Sequence, residues 1–243
     1  MLEIYKRLLR RRGCAFRKTS SRDKMTKMHR NMLIAVTLFL SFILVVILYL
    51  FNIIPHRQYS NADFNIASYK SAVDLDDDGI DDQTDILESV KKYISTNPKY
   101  QSKYYNSGYP DDEYGVCTDV VTFGLKSAGY DLRELVDADI KENSAAYNIE
   151  KPDKNIDFRR VRNLKVYFSR HSIRLTNDLS QIDEWQGGDI VIFSDHIGII
   201  SDKRNRHGVP FLIHHANPFQ LKYEEDVLER YGQNAVKGHY RIS

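Results

Sequence analysis

The sequence predicts an α+β domain set behind a single membrane-spanning helix. Three observations carry this: an uncharged apolar run near the N-terminus, helical periodicity in the first half of the remainder, and short strand-like runs in the second half. Helices followed by consecutive short strands are the pattern of an antiparallel sheet with helices packed on it.

The apolar run extends from Met32 to Phe51 and continues through Ile53 and Ile54. A bilayer core needs about 20 apolar residues, so the segment 32–54 is long enough to cross it. It exceeds the roughly 7–15-residue apolar core of a secretory signal, and no small-residue cleavage pattern follows, so it reads as a retained signal anchor. Residues 1–31 hold eleven Lys and Arg against Glu3 and Asp23; setting these aside from totals of 35 and 33 leaves 24 basic and 31 acidic residues. The positive-inside bias makes 1–31 a basic cytoplasmic tail and puts the chain from about residue 55 outside, in a single-pass protein of the cell membrane. Such a tail also suits anionic headgroups, although fixing topology is reason enough for it. The net charge of +2 marks no nucleic-acid partner.

Of the two cysteines, Cys14 lies in the tail and Cys117 in the exported part, so the bilayer keeps them apart. An unpaired thiol outside the cytosol invites a functional explanation.

Residues 55–70 are polar and without periodicity, and read as a stalk. The domain then spans 71–243. Its first element is a loop, Asp74-Leu-Asp76-Asp-Asp78-Gly-Ile80-Asp-Asp82-Gln-Thr-Asp85, with acids at positions 1, 3, 5, 9 and 12, Gly at 6 and an apolar residue at 7. Those are EF-hand-type positions, with the Ile80 carbonyl as the seventh-position ligand. Asp rather than Glu at position 12 points to weak binding suited to extracellular calcium. The bland alternative is an acidic loop that caps the next helix at Asp82 or Asp85. No His or Cys is near, which disfavours zinc, and no organic cofactor is implied.

Helical spacing of Ile86, Leu87, Val90 and Ile94 predicts a helix that Asn97-Pro98 stops. Tyr100 to Tyr114 is a Tyr-rich loop. A second helix starts near Cys117 and is capped by Gly129, and residues 158–168 read as a third. Gly187-Gly188 precedes a hairpin of Asp189–Phe193 and His196–Ile200 joined by Ser194-Asp195. Phe211–His215 and Gly238–Ile242 are further strands.

At a helix start Cys117 meets the helix dipole and unpaired N–H groups, which favour thiolate and offer an oxyanion site. A His opening a strand and a polar group on the next strand supply the base and the group that orients it. Side chains alternate along a strand, so only one of His214 and His215 can share a face with His196.

The order Gly115-Val-Cys117-Thr-Asp-Val-Val, Gly-Gly-Asp-Ile-Val, His196-Ile-Gly-Ile-Ile and Leu-Ile-His214-His-Ala resembles the NlpC-type branch of papain-like cysteine peptidases. Asp-Asp-Gly-Ile-Asp-Asp, Asn155-Ile-Asp157-Phe-Arg159-Arg160 and the terminal Gly-His239-Tyr240-Arg add a closer resemblance to a bacterial domain-of-unknown-function family of that clan, over residues 74–243. The Cys-Thr-Asp-Val-Val stretch stands where the NlpC family has Cys-Ser-Gly-Phe-Val. The resemblance implies a papain-like fold, Cys117 as nucleophile, His196 as base, and His214 as orienting group with His215 as the alternative register. It implies Tyr114, Asp119, Asp157 and Arg159 as substrate-binding residues, although Asn155, Asp157, Arg159 and Arg160 suit structural ion pairs equally. His239 and Tyr240 suit packing in the last strand. The implied activity is that of a cysteine amidase or peptidase on the peptide bonds of peptidoglycan. Two rivals stand beside it: a non-catalytic module of the same fold binding wall or protein, and a metalloenzyme using His196, His214, His215 or Asp195.

Overall fold

A computed structural model describes residues 2–51 and 53–242. The side chains of the first 23 residues, including most of the basic tail and Cys14, lie outside the described residues, as does that of Gln233. The chain divides after Ile54 into two units.

The first unit is one helix, α1 (Leu2–Leu50). Its stretch Lys24–Leu50 is long and apolar enough to cross a membrane. Exposed apolar side chains such as Leu33, Phe39, Phe42 and Leu44 surround it, as expected where lipid rather than protein is the surroundings. The expected span ran to residue 54, but the helix ends at Leu50. Ile53 and Ile54 both turn their N–H groups back to the Leu48 carbonyl, and Pro55 disfavours helical backbone just before it.

In the second unit α2 (Asp82–Ser95) starts where the Asp81 carboxylate accepts the Thr84 N–H, and it buries Ile86 and Val90. The cap is thus Asp81, one residue before the position expected. A two-residue parallel pair, β1 (Lys99–Tyr100) and β2 (Tyr114–Gly115), brackets the Tyr-rich loop. Then come α3 (Cys117–Ser127), α4 (Leu132–Glu142), the short α5 (Ser144–Tyr147) and α6 (Val161–His171). The third expected helix begins three residues late because Arg160 is extended (φ −105°, ψ 118°), leaving Asp157–Arg159 as a 3-10 turn.

The strands follow: β3 (Ile173–Arg174), β4 (Ile190–Ile192), β5 (Ile197–Arg204), β6 (Pro210–Ile213), β7 (Glu224–Glu225), a helical turn α7 (Leu228–Tyr231), and β8 (Gly238–Arg241). They form one sheet in the order β3-β8-β4-β5-β6-β7, antiparallel throughout. The C-terminal strand therefore sits between β3 and β4. Ile190, Ile192, Ile197 and Ile199 pack on one face with Val120, Val121, Leu125 and Phe168 of the helices. Val191, Phe193, Ile200 and Leu212 pack on the other with Trp185, Val227 and Val236. Cover on both faces explains why Ile190-Val-Ile-Phe193 is apolar at every position rather than alternating.

The expected stalk is instead part of this unit. Tyr59 makes a two-way backbone bridge with Arg204 (2.9 and 2.7 Å), and His56 Nδ1 lies 2.8 Å from an Asp226 oxygen. The Arg204 guanidinium is fully buried and donates to Asn61 Oδ1 (2.5 Å) and to the carbonyls of Ile182, Gly208 and Trp185. Satisfying a buried cation with neutral oxygens requires those oxygens to stay in place.

Beneath the sheet Asp189 gathers five donor contacts: Gln83 Nε2, the Gln186 N–H, His239 Nε2, and both Nε and Nη2 of Arg241. The motifs Gly-Gly-Asp and Gly-His-Tyr-Arg are two halves of this buried network. Gly188 (φ +93°) makes room for it, since a Cβ there would meet the Gln83 carbonyl at 2.6 Å.

Candidate active site

Cys117 is the first residue of α3 and a free thiol, half-buried. The helix begins there because Asp119, at its third position, accepts the Val116 N–H at 2.8 Å, closing the N-terminus as a capping box does. The thiol lines a cleft of about 510 Å³ with Tyr100, Phe193, Tyr231, the β4–β5 turn residues Ser194, Asp195 and His196, and Ala216 and Ala235.

Burial pushes the Cys117 thiol up to about 11, and the Asp119 charge adds to this. The backbone N–H groups of Ile197, Thr118 and Cys117 itself act the other way. The helix-end effect is present, but desolvation outweighs it, so the free site holds a thiol at neutral pH rather than the thiolate expected.

His196 sits one residue before β5, and Phe193 N–H bonds back to its carbonyl (2.8 Å), holding the turn. Its Nε2 lies 2.8 Å from Nδ1 of His214, just past the end of β6. Burial, then the neighbouring His214 and His215, lowers the His196 pKa to about 3. Cys117 and His196 are therefore both uncharged near pH 7.

Of the two adjacent histidines, His214 joins His196, and His215 turns away to pack edge-on against Tyr100 and Tyr223. Gly198 makes the close approach possible. A Cβ there would lie 2.8 Å from the Ile213 carbonyl oxygen and 3.2 Å from His214 Cβ. The divergence of His214 and His215 works against one metal held by both. His214 Nε2 in turn lies 3.1 Å from Glu225 Oε2 on β7. Gln220 ties the β6–β7 loop around this group, donating to Glu225 Oε2 (3.1 Å) and the His214 carbonyl (3.2 Å) while accepting the Ala216 N–H (2.6 Å).

The residues expected to bind substrate lie elsewhere. Asp119 and Arg159 are buried and paired with one another, at 2.6 Å through Nε and 2.8 Å through Nη2. Arg159 also donates to the Lys103 carbonyl (2.7 Å). Asp157, equally buried, accepts the Asp153 N–H and a bond from Arg160. Asn155 accepts two bonds from Arg133. Tyr114 lies under the Lys103 ammonium, 3.6 Å from its ring centre. These residues brace the loops behind α3, and none of them lines the cleft. Phe193 and Tyr231 in the cleft lining, and Glu225 and Gln220 around His214, were not singled out by the sequence. Glu225 lies in a two-residue strand without periodicity, and no motif marks it.

In the acidic loop, ligand oxygens of Asp74, Asp76 and Asp78 lie within 4.8 Å of one another. Gly79 (φ +91°) makes the turn, and Asp74 accepts the N–H groups of Asp78 and Gly79. Ile80 is partly exposed and donates its N–H to Asp78 (2.8 Å). Asp82 departs from the expected ligand set: it is buried, accepting from the Leu75 N–H and the Tyr130 hydroxyl. One Asp85 oxygen accepts from Ser89, and the other is enclosed without a hydrogen-bond partner. Desolvation and the neighbouring carboxylates raise both Asp76 and Asp85. An all-carboxylate set of this kind fits a hard cation.

The family model described as "Domain of unknown function (DUF1287)" matches residues 87–242. The chain belongs to that family. A DUF1287 match over this range takes in Cys117, His196, His214 and Glu225 and begins after the acidic loop. "Uncharacterized protein YijF" of Escherichia coli (strain K12) is 39% identical over 169 residues, covering 64% of this chain and 80% of its own length. No solved structure matches the chain.

Proposed function

We propose that this DUF1287 protein is a cysteine amidase or peptidase of papain-like, NlpC-type architecture. In this reading it is held by α1 in the cell membrane, with its N-terminus cytoplasmic and its second unit outside, and it acts on peptide bonds of peptidoglycan. The observation that carries the reading is that a helix-tip thiol and His196 line one cleft, with His214 2.8 Å behind His196. The topology rests on the flanking charge, and the substrate class rests on the family resemblance.

In the proposed reaction the substrate carbonyl enters beside Cys117. As the sulfur attacks the carbonyl carbon, its proton passes to His196. N–H groups at the start of α3, which have no intrahelical acceptors, hold the resulting oxyanion. His196 returns the proton to the leaving amine as the C–N bond breaks, giving a thioester. Water, deprotonated by His196, then attacks the thioester and releases the carboxylic acid and the thiol. Because both groups start neutral, the ion pair forms only during attack, and substrate must supply part of its stabilisation.

One observation favours the rival reading, a binding module without chemistry: the raised thiol pKa. Digestion of purified peptidoglycan separates the two. Wild-type protein is expected to release new amine ends, with Cys117→Ala reducing the rate at least about 10³-fold. Equal rates in both would overturn the hydrolase reading.

The acidic loop is proposed to hold Ca²⁺ through Asp74, Asp76 and Asp78, with Asp85 closing the site. At ten times its Kd the ion would add about 1.4 kcal/mol, or about 3–6 °C in Tm for a domain of this size. Asp78→Asn is expected to abolish that shift in calorimetry. A wild-type Tm unmoved by millimolar Ca²⁺ would refute the site.

A further inference from the structure

We infer that Glu225 is a positioning residue: its carboxylate keeps the proton of His214 on Nε2, and through His214 it sets the tautomer of His196. Nδ1 of His196 is then the lone pair left to take the Cys117 proton. The inference deepens the hydrolase reading and rests on it for its catalytic consequence, although the proton arrangement itself does not.

The argument is one of donors and acceptors. A carboxylate can only accept, so the 3.1 Å contact between Glu225 Oε2 and His214 Nε2 places a hydrogen on that nitrogen. We take the His214 ring with that single hydrogen, so its Nδ1 presents a lone pair. The 2.8 Å contact to His196 Nε2 then needs that nitrogen to be the donor. His196 thereby has its hydrogen on Nε2 and its lone pair on Nδ1. Reversing the chain would put a hydrogen on Nδ1 of His196 and remove the base.

Gln220 enforces the arrangement from the other side. Its amide donates to the same Glu225 oxygen and accepts the Ala216 N–H through its own carbonyl, which fixes the orientation of the amide. An oxygen that receives donors from both His214 and Gln220 must be an acceptor. His214 is buried and Glu225 largely so, which shields the contacts from competing water. His196, His214 and Glu225 come from the β4–β5 turn, the end of β6 and β7, so the relay crosses neighbouring strands of the sheet.

Long-range ¹H–¹⁵N correlation on full-length, histidine-labelled protein in micelles tests this without a substrate. In wild type both His196 and His214 are expected as Nε2–H tautomers. Glu225→Ala is expected to mix the tautomers of both rings and to lower kcat roughly 10- to 100-fold with little change in KM. Glu225→Gln, which keeps an amide oxygen as acceptor, is expected to restore the tautomers and most of the rate. A wild-type His196 protonated on Nδ1, or Glu225→Ala rings indistinguishable from wild type, would overturn the inference. The wild-type spectrum needs no variant to fold. Tautomers that respond to Glu225 in a protein that digests no wall would sink the hydrolase reading while leaving the positioning role intact.

Discussion

Arg159→Leu is expected to lower the Tm of the folded unit by roughly 10 °C or more. Among the described residues, the change leaves the Asp119 carboxylate buried against the Val116 N–H and takes the Arg159 guanidinium from the Lys103 carbonyl. Breaking a buried ion pair from one side costs about 3–5 kcal/mol, because the remaining charge has been removed from water and is no longer matched. For a unit of this size each kcal/mol moves Tm by about 2–4 °C. Asp119→Leu should cost a similar amount, and the double variant less than the sum of the two, since it removes both charges together. Asp119 stands two residues from the thiol, so the single variants should also misplace Cys117. Thermal melts decide between this role and substrate binding. A variant with wild-type Tm and a raised KM would show that the pair faces substrate after all.

The second large effect is on acid stability. His196 and His215 have folded-state pKa values lowered to about 3 and about 4, in both cases chiefly by burial, against an ordinary 6.5. Between those values and 6.5 the unfolded chain binds protons that the folded chain does not, so stability falls as pH falls through this window. Each group can remove at most about 1.4 kcal/mol per pH unit, and the two together about 2–3 kcal/mol per pH unit. Asp76 and Asp85 are raised and work in the opposite sense, their contribution being present below their ordinary pKa and lost as pH rises. Asp139, lowered to about 2, loses its contribution only below about pH 4. Denaturant melts from pH 7 to pH 4.5 are therefore expected to show a steep loss, which His196→Gln with His215→Phe should flatten. A wild-type profile level from 7 to 4.5 would refute the assignment of both rings as buried and neutral.

The places of Cys117, His196 and His214 in the fold were legible because each sits at the end of an element that its neighbours define: a Gly before a helix, a tight turn before a strand, an apolar run before a histidine pair. The choice between His214 and His215 was not, since both fall beyond β6 and only the approach permitted by Gly198 selects one. Asp119 and Arg159 lie buried against one another, where the sequence left Arg159 open to substrate or to an ion pair. Forty positions apart, they carry no signal of depth, and a buried pair and an exposed one have the same letters. The thiol's ionisation was misread for a related reason, because the helix start is visible in the sequence and the desolvation around it is not. Glu225 was out of reach, since a two-residue strand has no periodicity. The hairpin was plain from its apolar runs, whereas the placing of β8 between β3 and β4 is decided by Asp189 recruiting His239 and Arg241.

The guanidinium of Arg204 turns the segment after α1 from a leash into a plug. A protease that cut among residues 55–70 would sever the polypeptide, but Asn61 would have to leave the buried guanidinium and Tyr59 the Arg204 backbone before the two pieces could part. Losing that segment would leave the guanidinium to the carbonyls of Ile182, Gly208 and Trp185 and strip its Nε of the Asn61 oxygen. A cut that keeps these contacts lies upstream of Tyr59.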